Sequence, residues 1–320
     1  MAKSVSFSDL MVTQQSKGST RLEKIDGLVR WSRFGYRLTK ILGRSGLGPT
    51  GYPPLSLFKA LILQHLYGLS DPEMEEMLYD RLSFRRFCGF GLSDNIPDAT
   101  TLCRFRNALA GQTEKLFGLV LDEIQAQGIT LKSGTIVDAT VIQSSAQDPC
   151  GGTVSARDPE AGWTKKGGKY HHGYKAHVAC DVETGLVTTL QVTGAEVHDS
   201  QVFEVLLTGE ETCVYADKAY ASTKRRKRLR EAGIGDCVMY PAQAGRKQPA
   251  WQKHLNTLWS KTRCRIEKIF GHMKRTQKLL RARYIGQVKT LTQMSFVAMA
   301  YNLVRALSLI PRPCKQAATG

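Results

Sequence analysis

The sequence predicts an α/β (α+β) chain in which helices come first and a mixed sheet follows. Three observations carry that expectation. At 320 residues the chain is longer than most single cores, so two domains are expected. Apolar residues recur at helical spacing up to about Gly128 and at a spacing of two beyond it. Past that switch, strand-like runs alternate with helical ones, the order of a sheet flanked by helices. The expected division is a helical domain over 1–132, a sheet domain over 133–310 and a basic tail over 311–320.

The helical part is marked by its punctuation. After "GYPP", the run "LSLFKALILQHLYGL" sets Leu55, Phe58, Leu61, Ile62 and Leu66 on one stripe, with Pro54 at the helix start. "SDPEMEEMLYDRL" offers Asp71 as an N-cap, Pro72 at the first helical position and acids in the first turn. "PDATTLCRFRNAL" starts from a cap at Asp98 or Thr100 and ends at Gly111, and "TEKLFGLVLDEIQAQG" runs from Thr113 to a stop at Gly128. Arg85, Arg86, Arg104 and Arg106 on these short helices suit a DNA-binding or subunit-contact module. A helical cap that only packs on the rest is the alternative.

Beyond Gly128, "SGTIVDATVIQS" (Ser133 to Ser144) reads as a first strand. "YKAHVACDVETGLVTTLQVTG" (Tyr174 to Gly194) reads as two strands joined by a turn at Glu183, Thr184 and Gly185. "TCVYADKAY" (Thr212 to Tyr220) is a fourth, and "DCVMYPA" (Asp236 to Ala242) a short fifth ended by Pro241. Helical runs separate the later strands: "DSQVFEVLLTG", "STKRRKRLREAG" and a long helix from about Trp259 to Leu280. A three-strand meander, then helix, strand, helix, strand, helix is the order of the ribonuclease H-like fold, with a mixed five-stranded sheet. The Gly- and Lys-rich insertion from Gln147 to Gly173 reads as exposed loop. The apolar run from Thr290 to Pro311 is broken by Gln293, Asn302 and Arg305, costly groups in hydrocarbon, so a buried amphipathic helix is expected and no membrane span.

Composition is that of a globular protein, 42% hydrophobic and 23% charged, except for its sign: 45 Lys and Arg face 28 Asp and Glu, a net charge of +17. Such an excess repels itself, and a polyanion that releases counterions on binding is its natural partner, so nucleic acid is expected. The eight cysteines show neither zinc-finger nor C-x-x-C spacing and read as small buried hydrophobes. With no apolar signal-peptide core near Met1, a reducing cytoplasm is expected.

Three acids stand out. Asp138 lies mid-strand in "TIVDATVI", where Asp is disfavoured and needs a strong partner. Asp217 closes the fourth strand in "VYADKAY", at the sheet edge where sites are built. Glu267 is the single carboxylate of the cation-rich "RCRIEKIFGHMKR". If the long helix packs beside the first and fourth strands, the three converge, and their mutual repulsion calls for cations. Two Mg²⁺ (or Mn²⁺) ions would serve, activating a water or 3′-hydroxyl on one side of a phosphodiester and stabilising the leaving oxygen on the other. Arg263, Lys274 and Arg275 would hold phosphates in line. Taken singly, Glu267 could instead form i,i+4 pairs on a solvated face.

The spacing decides between these. Three residues separate Arg263 from Glu267 and six separate Glu267 from Lys274. This resembles the third-acid helix of the insertion-sequence DDE transposases, which reads Tyr, two residues, Arg, three, Glu, six, Lys. The Tyr position falls on Ser260, beside Trp259. "IVDATVI" and "VYADKAYAS" look like the family's two Asp strands. "WTKKGGKYHHGYKAHVACDVETGLV", "GAEVHDSQ" and "PDATTLCRFRNAL" look like segments of the branch named after insertion sequence five, so that the likeness runs over about residues 45 to 307. It implies a metal-dependent enzyme, with Asp138, Asp217 and Glu267 as metal ligands, that cuts double-stranded DNA at the element's ends, joins it to target DNA, and works as a homodimer. A nuclease without strand transfer, or a transposase-derived DNA-binding protein that has lost catalysis, are the alternatives.

Other residues have secondary readings. Trp163, with Lys165, Lys166, Lys169 and Tyr170, could stack on an unpaired base while the lysines track phosphates, or simply anchor its loop. In the run Lys224 to Arg230, Lys224, Arg225 and Arg226 are expected to face DNA. Asp199 is expected to cap the helix after "EVH", and His171, His172 and His177 to touch DNA or pack rather than bind zinc.

Overall fold

The computed structural model describes residues 20–42, 51–131, 134–147, 149, 153–242 and 245–310. The tail over 311–320, the N-terminal stretch, Cys150 and Cys314 lie outside them. From Arg21 to Gln125 the described elements are all helices: α1 (Arg21–Leu28), α2 (Trp31–Leu42), α3 (Pro54–Leu66), α4 (Asp71–Asp80), α5 (Leu82–Cys88), α6 (Ala99–Ala108) and α7 (Thr113–Gln125). Their starts follow capping chemistry. The Asp98 side chain accepts from the Thr101 amide at 2.6 Å. For α4 the cap is Ser70, in a capping box with Glu73, and not Asp71 as expected. Asp71 turns inward instead, where Arg106 takes both of its oxygens at 2.7 and 2.8 Å.

The sheet has six strands and not five: β1 (Thr135–Gln143), β2 (Gly162–Lys166), β3 (Lys169–Asp181), β4 (Val187–Gly194), β5 (Cys213–Ala216) and β6 (Gly235–Val238). The added strand comes from the insertion expected to be loop, where β2 and the first residues of β3 form a tight hairpin, Lys166 facing Lys169. Strand β3 runs antiparallel to β1 along one edge; on its other edge β2 and then β4 lie end to end. Strands β1, β5 and β6 are mutually parallel. Gly173, where β3 meets both β1 and β2, has no room for a side chain: a Cβ there would stand 2.2 Å from the Ile142 carbonyl oxygen. The segment expected as a helix after β4 is two short 3₁₀ turns, Asp199–Gln201 and Phe203–Leu206.

Three more helices complete the chain: α8 (Thr223–Glu231), α9 (Ala250–Thr276) and α10 (Gln287–Leu309). Helix α9 begins earlier than expected and packs beside β1 and β5. Helix α10 is the apolar segment weighed as a membrane span; among the described residues no helix is long and apolar enough to cross one. It packs instead against α3, α7 and β4. Helix α3 is buried nearly all round, as a helix apolar on every face must be, and Phe58 and His65 on it both stack near Phe296 of α10. One buried apolar cluster therefore runs from Leu22 and Phe34 through α3 and α10 to Ile136, Tyr174 and Val178. A smaller one, built on Val137, Phe203, Val214 and Tyr220, covers the other side of the sheet.

Candidate active site

The register of two parallel strands brings the first two acids together. Val137 pairs with Ala216, so the next residues, Asp138 within β1 and Asp217 just past the end of β5, stand at the same level. Asp138 is 17% exposed; burial pushes its carboxyl above the usual range, Arg263 pulls it down and Asp217 adds to the rise. Its Oδ1 accepts from the Ala139 amide at 2.9 Å. Asp217 caps the 3₁₀ turn Lys218–Tyr220 and accepts from the Lys218 amide at 2.6 Å. Helix α9 lays Arg263, Glu267 and Lys274 on its facing side, at i, i+4 and i+11.

Arg263 joins the three. Its Nη2 lies 3.1 Å from Asp138 Oδ2 and 3.3 Å from Glu267 Oε1, and its Nη1 lies 3.8 Å from Asp217 Oδ1. Burial works against the guanidinium charge, but the carboxylates, Asp138 foremost, hold its pKa above the ordinary value. Among the described residues no three His, Cys, Asp or Glu side chains stand close enough together to enclose a metal ion. The acids of α9, of β1 and of the turn after β5 gather around a permanent organic cation.

They open into a cleft of about 670 Å³, whose walls also carry Lys165, Lys166, Lys175 and Lys274. Lys274 loses some of its basicity to burial and to the neighbouring charge of Lys166, which places the β2 hairpin across the cleft from α9. A family model described as a transposase DDE domain matches residues 129–303, more than half of the chain and all three acids.

The chain belongs to the DDE transposase family. A second model, described as a transposase domain (DUF772), matches residues 10–108 of the transposase, over most of its helical part. DNA is the substrate class that this family implies.

The other candidate residues are placed unequally. Arg275 is exposed beyond the cleft, its Nε donating to the Gly271 carbonyl at 3.2 Å. Lys224 is exposed at the start of α8. Arg225 and Arg226 turn into the transposase: Arg225 donates to the Ser200 carbonyl at 2.8 Å and to that of Tyr220, and Arg226 to Asp236 at 2.6 Å and the Val238 carbonyl at 2.8 Å. Of the four N-terminal arginines, Arg85 and Arg106 are likewise engaged by internal carbonyls or an acid, Arg86 is exposed but paired with Glu23 at 3.0 Å, and Arg104 is exposed. Trp163 is an anchor in the structure: its Nε1 donates to the Thr153 carbonyl at 3.1 Å and its ring packs on His172 at 5.1 Å. Cys88 and Cys180 are the buried thiols expected, but Cys264 is exposed.

Two groups went unread in the sequence. Lys175, cross-strand from Val141, pairs with Asp199 at 3.0 Å, so Asp199 is held as an ion pair on the cleft wall, and His198 caps the turn in its place. Tyr220 is fully buried, and its hydroxyl has no hydrogen-bond partner; burial raises its pKa, with the charges of Asp199 and Asp138 adding to the rise. A lysine inside the otherwise apolar "YKAHVAC" was the available signal for the first.

Proposed function

We propose that this transposase serves an insertion sequence of the branch named after insertion sequence five, binding the element's ends as duplex DNA, cutting a phosphodiester there and joining the freed end to target DNA. The strand order β4-β3-β1-β5-β6 supports a ribonuclease H-like catalytic part over 133–310, with 1–132 as the helical DNA-binding or subunit-contact part, 311–320 as a basic tail and a homodimer as the working form. The single observation that carries the reading is the meeting of Asp138, Asp217 and Glu267 at one positive charge in a lysine-walled cleft.

That charge is also the test of fit for divalent metal. Arg263 stands in for a cation at three carboxylates, and carboxylate oxygens are the donors that Mg²⁺ and Mn²⁺ prefer. Asp138, Asp217 and Glu267 would hold two such ions. What the ions supply when bound is Lewis acidity toward the attacking and leaving oxygens of the scissile phosphate.

The chain's own residues do the rest. Lys165 and Lys166 from the hairpin and Lys274 from α9 clamp the backbone from opposite walls, fixing the scissile phosphate before any bond changes. Trp163, by bracing the hairpin on His172, keeps that wall in place. The capping bond from the Lys218 amide fixes Asp217, and the Ala139 amide fixes Asp138. Lys224 and Arg275 extend the cationic surface outside the cleft.

Incubating the protein with Mg²⁺ and a labelled duplex carrying the terminal repeat of its element tests the reading. Nicked and joined products are expected from the wild type and neither from Glu267→Gln, with duplex binding retained. Nicks without joined products would make it a nuclease, and binding without either product a DNA-binding relic.

A further inference from the structure

The position of Arg263 says more than that the site is acidic. We infer that Arg263 is the site's own counter-ion, which divalent metal replaces only as a DNA phosphate draws the guanidinium away, so that metal uptake and DNA binding are coupled through this one side chain. This rests on the metal-dependent reading above.

One guanidinium spans all three carboxylates, at 3.1, 3.3 and 3.8 Å. It cannot shed its charge, since arginine stays protonated in proteins. A divalent cation at the same oxygens would meet a like charge within a few ångströms, in a partly buried place where screening is weak. One of the two has to leave.

Arg263 itself lines the cleft. Its Nε is buried without a hydrogen-bond partner, and beyond the acids its fork has one further hydrogen-bond partner among the described residues, the Met239 sulfur at 4.0 Å, a weak acceptor. The carboxylates are the charged groups that hold the fork. A phosphate, like a carboxylate, can take two guanidinium N–H donors at once, and Lys165, Lys166, Lys175 and Lys274 line the cleft into which a backbone would be drawn. Each phosphate that captures Arg263 leaves three carboxylates uncompensated, and metal affinity rises. By linkage the converse holds with the same factor: metal in the site tightens DNA.

Manganese binding to the full chain, followed by the electron paramagnetic resonance of free Mn²⁺, tests this without any reaction. Without DNA, Arg263→Gln is expected to take up Mn²⁺ about tenfold more tightly than wild type, and Arg263→Lys, which keeps the charge, to stay near wild type. A short duplex should tighten Mn²⁺ binding by wild type about tenfold beyond what the duplex binds alone, and leave Arg263→Gln unchanged. Equal Mn²⁺ affinity in wild type and Arg263→Gln overturns the proposal. So does indifference of the wild type to a duplex that fluorescence anisotropy shows to be bound, an arm that holds even if the variant fails a thermal-melting check of its fold. Glu267→Gln separates the levels: Mn²⁺ binding as strong as wild type there defeats the metal reading itself, and the exchange with it, whereas metal-dependent cutting with no difference at Arg263 defeats only the exchange.

Discussion

His65 is buried without access to water, its Nδ1–H donating to the Leu61 carbonyl at 2.8 Å, its Nε2 without a partner and its ring stacked on Phe296. Burial, with the charges of Arg283 and Arg106 against the weaker pull of Asp71, lowers its pKa from 6.5 to about 3. The unfolded chain therefore takes up a proton below pH 6.5 that the folded chain refuses until about pH 3, so stability falls as pH drops through that window. Between pH 7 and pH 5 the loss from this residue is about 2 kcal/mol. In His65→Phe, which keeps a ring on Phe296, the difference between urea unfolding free energies at the two pH values should shrink by about that amount. His177, lowered to about 4 chiefly by burial, should leave an acid-sensitive remainder of similar size between the same two pH values.

At the scale of elements, Arg106 shows how a cation that looks free in the sequence can be committed by packing. It is 3% exposed, forks onto Asp71 across α4 and α6, and stacks on Tyr284 at 4.1 Å. Replacing it with Met leaves Asp71 half-buried without its cation, with the Gln64 amide still donating to it, at a cost of about 3–5 kcal/mol in urea denaturation, and adding Asp71→Leu should recover part of the loss. Nothing local in "CRFRNAL" tells Arg104, which is exposed, from Arg106 two residues on. The same blindness applies to Arg225 and Arg226, whose partners are carbonyls and an acid brought up by β6 and its neighbours. What could be read were features set by short-range chemistry: β1 and β5 from their apolar runs, a cap for α6 at Asp98 or Thr100, of which the structure uses Asp98, and the sharing of one helix and one cleft by Arg263, Glu267 and Lys274. The β2 hairpin was missed because Gly and Lys dominate it. Ladder bonds to β3 make it a strand, and composition does not record those bonds.

For the molecule as a whole, the excess of cations is divided between those spent inside and those turned to the cleft and surface. If Lys165, Lys166 and Lys274 each meet a phosphate, converting all three to Gln should flatten the slope of log affinity against log salt by about 2–3, measured by anisotropy with duplexes of unrelated sequence. The loss should be similar for every duplex, since phosphate contacts carry no base information.

The seating of α10 has a consequence for how the protein is made. The first helices close their apolar faces on α3 and α10, and α10 is the final element of the described chain. At ribosomal speeds of about 5–20 residues per second, α7 is finished roughly ten to forty seconds before α10 has been synthesised. Through that interval the nascent N-terminal helices carry exposed apolar surface with no partner to cover it, the condition in which chaperones bind. A message cut short upstream of α10 yields a chain whose described N-terminal helices stay in that state.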